Sequence, residues 1–149
     1  MSLAVHLREQ LNRLEQLQTL LRHERQLLAA GDIDGKALNA VAELKQQLLA
    51  AIDRFETHRR QVRDQLGYGS DHAGDEAAAS ASGCRQLWRD ILERTSECAR
   101  LNAVNGKLVN LRMVDIQRLL NDLNAMVSRN MYGPDGQPRG NDHRVCSRA

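Results

Sequence analysis

Leucines set the first rhythm of the chain. Leu7, Leu14, Leu21 and Leu28 recur every seven residues, with Leu3, Leu11, Leu17, Leu20 and Leu27 widening the stripe. That spacing predicts one amphipathic helix over residues 3–30. Gly31-Asp32-Ile33-Asp34-Gly35 then supplies a helix-ending glycine, helix-starting aspartates and a second glycine in a space too short for anything but a reversal. A second helix, residues 35–66, is therefore expected to run antiparallel to the first. Its seam steps alternately by three and four through Leu38, Val41, Lys45, Leu48, Ile52, Phe55, Arg59, Val62 and Leu66, and such a seam calls for a helix beside it. Lys45 and Arg59 interrupt it. Their stems are expected to pack while their charges reach water, the alternative being a register-setting ion pair with a facing Glu.

After Leu66, the glycines Gly67, Gly69 and Gly74 in an aperiodic stretch predict a flexible connection, and the Ala/Ser-rich run from Ala77 to Ser82 reads as loop or as an early helical turn. The helical period resumes over residues 83–129 through Leu87, Trp88, Ile91, Leu92, Cys98, Leu101, Leu108, Val109, Ile116, Leu119, Leu120, Leu123, Met126 and Val127. Unbroken, this segment would measure about 70 Å, against about 42 and 48 Å for the first two. Part of it should overhang with its apolar stripe uncovered, a surface that usually awaits a partner. The alternative is a break at Gly106 into two shorter helices. The expected fold is thus all-α, a long antiparallel helical bundle or coiled coil of three long helices, four if the third segment breaks near Gly106. The bundle should occupy residues 1–129. Pro134, Pro138 and the glycines around them stop the helix, and the polar residues 130–149 are expected to form a flexible tail.

Composition narrows the class. Of 149 residues only 3% are aromatic, and both prolines fall after residue 133, which disfavours a β-sandwich. A formal charge of +2 does not point to nucleic acid or anionic lipid. The arginines at 54, 59, 60 and 63 are diluted by Glu56 and Asp64 and lack interleaved aromatics. Three cysteines, Cys84, Cys98 and Cys146, give no CxxC pair, which suits a reducing cytoplasm better than a disulfide scaffold. The N-terminus breaks its apolar run with His6, Arg8 and Glu9, so neither a signal peptide nor a membrane span is expected there.

Catalytic chemistry finds little to stand on. The five histidines match no zinc-ligand spacing, and no Glu-x-x-His of the di-metal bundle type occurs. The glycines form neither a dinucleotide fingerprint nor a P-loop. Neither an enzyme nor a bound cofactor or metal is expected.

The unusual residue of the third segment is asparagine. Asn102 and Asn105 lie three apart, in line with Ile91, Cys98, Val109 and Ile116. Their amides either form a polar layer that fixes register inside the bundle, or hydrogen-bond a helix docking from another protein beside the small Gly106. The run Asn102-Ala-Val-Asn105-Gly106-Lys-Leu108-Val109, followed by Gln117, Leu120 and then Tyr132-Gly133-Pro-Asp135-Gly136-Gln137, resembles the signature of the FlgN family of flagellar export chaperones. Gly31-Asp-Ile33-Asp-Gly and the stretch from Val41 to Asp53 look like that family's second helix. The resemblance runs from about residue 24 to 137; the 67–82 loop and the tail after Arg139 fall outside the pattern.

The resemblance implies a cytoplasmic chaperone that binds the C-terminal amphipathic helices of hook-filament junction proteins, holds them unpolymerised and delivers them to the flagellar type III export gate. Helix-in-groove docking supplies the physical mechanism. The expected contacts are Asn105, Leu108, Val109, Ile116, Leu119, Leu120 and Leu123, with Gly106 allowing close approach. The chain would act as a monomer or weak homodimer. The competing reading is a coiled-coil homodimeric scaffold whose overhang closes the dimer.

Overall fold

A computed structural model describes residues 2–131. Four helices follow one another: α1 (Leu3–Ala29), α2 (Gly35–Gln65), α3 (His72–Ala81) and α4 (Arg85–Met131). Among the described residues there is no strand. The chain divides into a first unit, residues 1–109, and a second from residue 110 onward.

The first unit is organised around α1. Its buried residues Leu7, Gln10, Leu14, Leu17, Leu21, Glu24 and Leu28 step alternately by three and four, with Gln18 buried beside them, so the leucine heptad supplies one row of the seam and two polar residues enter the other. α2 starts at the Asp34 cap, whose carboxylate accepts from the Ala37 N–H at 3.0 Å. Gln10 donates to the Ile52 carbonyl, and Lys45 donates to Glu24 at 2.7 Å. Early α1 thus meets late α2, the expected antiparallel pairing. α4 lies the other way: Cys98 donates its thiol to the Leu14 carbonyl, and Asn105 donates to the Leu21 carbonyl, both across a separation of 84 residues. A constant offset means that α4 runs parallel to α1.

Two apolar clusters fill this arrangement. One joins Leu7 and Leu14 to Ala79, Cys84, Trp88 and Ile91. The other joins Leu17 and Leu21 to Cys98 and Leu101.

Three expectations need correction. The 67–82 segment is not simply a flexible connection, because α3 occupies residues 72–81. Asp71 caps it by accepting from the Gly74 N–H at 2.9 Å. Lys45 and Arg59 do not send their charges to water: Lys45 pairs with Glu24, and Arg59 pairs with Glu56 and Asp75. Near its end the α2 seam passes from Val62 and Leu66, both exposed, to the buried Arg63, because Asp75 on α3 draws that guanidinium inward at 2.8 Å. At Gly106 α4 is unbroken, and it continues to Met131, two residues past the expected end. The tail from residue 132 lies outside the described residues, as does the Tyr132–Gln137 part of the signature.

Candidate partner-docking surface

The last buried residue of α4 is Asn105. Beyond it, Leu108 is half-buried and Val109 is exposed. Leu111, Met113, Val114, Ile116, Leu119, Leu120, Leu123, Met126, Val127 and Met131 are all exposed as well. On a 3.6-residue helix most of these share one face: Val109, Met113, Ile116, Leu120, Leu123 and Val127 step by four and three. Gln117 donates to Asn121 at 3.1 Å, tying two amides together on the same stretch of helix. A helix so apolar on one side, with Leu119 60% exposed and Leu123 48% exposed, has the chemistry to accept another apolar helix stripe.

Of the residues that the sequence singled out, Val109, Ile116, Leu119, Leu120 and Leu123 lie on this exposed stretch and Leu108 at its start. Gly106 is exposed, and a Cβ there would meet nothing within 4 Å. Asn105 is the exception. It is 1% exposed and turned inward, with its Nδ2 donating to the Leu21 carbonyl at 2.9 Å and to Glu24 Oε2 at 2.8 Å. Its amide N–H groups are therefore used inside the first unit, as in the polar-layer alternative, while its Oδ1 is buried without a hydrogen-bond partner. Asn102, three residues earlier, is exposed. Sequence reasoning missed Glu24, whose position three residues after Leu21 and four before Leu28 was the available signal.

Electrostatics elsewhere in the first unit serve packing. Arg59 and Arg63 both donate to Asp75 at 2.8 Å, which pins α3 onto α2. Burial disfavours ionised Asp75, but the hydrogen bonds from Arg59 and Arg63 outweigh it and hold its carboxyl below the ordinary range. Glu56 is lowered in the same way, against its burial, by Arg59 and Arg60. The Arg59 guanidinium lies 4.3 Å from the centre of the Trp88 ring. Beside these groups is a cavity of about 280 Å³ lined by Leu7, Phe55, Val62, Arg63, Tyr68 and Trp88 among others. Burial raises the Cys98 thiol above its ordinary range, the opposite of what a reactive thiol requires. Among the described residues no group of three or more His, Cys, Asp or Glu is placed to hold a metal ion, and no helix is long and apolar enough to cross a membrane.

The described residues therefore define an all-helical protein whose last helix displays an apolar face. The chain belongs to the FlgN family, whose model, described as FlgN protein, matches residues 1–140. Among its relatives, the flagella synthesis protein FlgN of Proteus mirabilis is 31% identical over 86% of this chain and 84% of its own. That of Yersinia enterocolitica is 30% identical over 93% and 90%, and that of Salmonella typhimurium 32% identical over 83% and 81%. No solved structure matches the chain significantly.

Proposed function

We propose that this protein is a cytoplasmic export chaperone of flagellar assembly, which binds the C-terminal amphipathic helices of hook-filament junction proteins, keeps them from assembling prematurely and delivers them to the type III export apparatus. The observation that carries the reading is the run of exposed large apolar side chains from Val109 to Met131. A cargo helix that would otherwise self-associate through its own stripe can lie along Val109, Ile116, Leu119, Leu120 and Leu123, with Leu108 at the start of the contact and Gly106 admitting a close backbone. Covering each of these half-exposed leucines contributes on the order of 1 kcal/mol. Membership of a family of flagella synthesis proteins supports the cargo class.

The test is a pull-down of purified C-terminal segments of the junction proteins by the full chain. Saturable binding at micromolar concentration is expected, and its absence sinks the proposal. Light scattering on the same sample addresses the scaffold alternative, since a dimer that resists dilution and ignores cargo peptide would replace the chaperone reading.

A further inference from the structure

α3 is held differently from the long helices. Of its ten residues only Gly74 and Ala79 are buried, and Ala79 is the one side chain that α3 gives to an apolar cluster. A single methyl group buries little apolar area, and a helix this short does not persist alone in water. Its seat is also unfilled. The cavity of about 280 Å³ is lined by Ala78, Ala79 and Ser82 together with Leu7, Phe55 and Trp88. What fastens α3 is Asp75, which accepts from Arg59 and Arg63 at 2.8 Å each, helped by a longer Glu76–Arg85 pair at 3.5 Å.

Release of α3 would strand little. Arg59 retains two hydrogen bonds to Glu56, and Arg63 retains one to Asp64, all within α2. α2 closes its own end: Gly67, at φ +83°, and Tyr68 donate their N–H groups to the carbonyls of Asp64 and Arg63. α4 begins with the Trp88 N–H on the Cys84 carbonyl. Neither end uses α3. The cluster around Cys98 contains no α3 residue, and the cluster around Trp88 would lose only Ala79. The Asp71 cap and the close approach of Gly74 to Gly69 both lie inside residues 69–83 and travel with them.

We infer that residues 69–83 are a strap that opens as a unit while α1, α2 and α4 keep their packing. Closed, the strap covers Arg63, which is 6% exposed, and completes the cluster around Trp88. Open, it bares an apolar floor of Leu7, Phe55 and Trp88 beside two guanidinium groups no longer paired with Asp75. Sub-global opening of this kind requires less free energy than unfolding the whole unit. Nothing in it depends on the chaperone reading.

The test puts a thiol beneath the strap. In the full chain, Cys84 and Cys146 are changed to alanine and Ala79→Cys is introduced, where the adjoining cavity admits the added sulfur. Native Cys98, buried in the other cluster, reports unfolding of the long helices. Reaction with a bulky aromatic disulfide reagent is followed at both thiols in rising urea below the unfolding transition. The introduced thiol is expected to react about a hundredfold faster than Cys98 or more, with a rate that rises less steeply with urea because less surface is exposed. Asp75→Asn should speed it by about tenfold or more. Leu21→Ala should speed Cys98 by about thirtyfold or more and leave the introduced thiol unchanged, since open and closed forms lose the same contact. Equal rates and urea slopes for the two thiols overturn the inference, as does equal acceleration of both by Leu21→Ala. A rate at the introduced thiol that ignores Asp75→Asn overturns it too, because the reagent would then be entering without any opening. The urea comparison needs no destabilised variant.

Discussion

Gly74 is the residue where backbone meets backbone. A Cβ there would run into the Gly69 carbonyl, so Gly74→Ala must push α3 away from the loop that precedes it. We expect that substitution to lower stability by roughly 1–3 kcal/mol, read as a reduced urea midpoint, and an unchanged midpoint would refute the close approach. Asp75, the next residue, makes a pH prediction. Its folded carboxyl and that of Glu56 lie below their ordinary values, so their contribution is fully present above the unfolded range near about pH 4 and is lost as pH falls through the depressed values. The urea midpoint should hold steady from neutral pH to about pH 5 and drop below about pH 4. Asp75→Asn should start lower at neutral pH and fall less on acidification. Trp88, the single tryptophan of the chain, reports both through its emission, because Arg59 lies against its ring.

At the scale of elements, the long helices were legible because each repeats an apolar pattern over many turns. The expected spans 3–30, 35–66 and 83–129 differ from the observed ones by at most two residues at either end. α3 was hidden because its alanines and serines carry no apolar period, and its real signal, an aspartate capping three residues ahead, lay in Asp71 and Gly74. Lys45 and Asn105 were ambiguous for a different reason: spacing assigns a polar residue to a face, but only the partner on the opposing helix decides whether its charge or amide stays inside. Glu24 was that partner, 21 and 81 residues away in sequence. For the proposed docking stripe, Leu119→Asp with Leu123→Asp is expected to abolish cargo binding and leave most helicity in place, since both side chains are exposed. Circular dichroism alongside the pull-down checks this, and wholesale unfolding would instead assign these leucines to an internal core.

For the whole molecule, the division at residues 109 and 110 separates a part that holds both buried clusters from a part that buries no large apolar side chain among its described residues. A chain ending at Val109 should therefore keep a cooperative thermal transition, with Tm within about 5 °C of the full protein, and lose cargo binding entirely. Loss of cooperativity in the shortened chain would show that the later residues support the fold. The candidate surface was readable in outline from the surplus of apolar positions. The direction in which Asn105 faces was not, because a seam predicts contact without saying which helix provides it.

The parallel alignment of α1 and α4 also dictates an order of events during synthesis. α1 and α2 can pair as soon as both have left the ribosome, but the leucine row of α1 stays half-clothed until residues some 84 positions later arrive to cover it. Those covering residues precede the sticky stretch in the chain. The nascent protein thus closes its own interior before the segment most prone to promiscuous adhesion emerges into the cell.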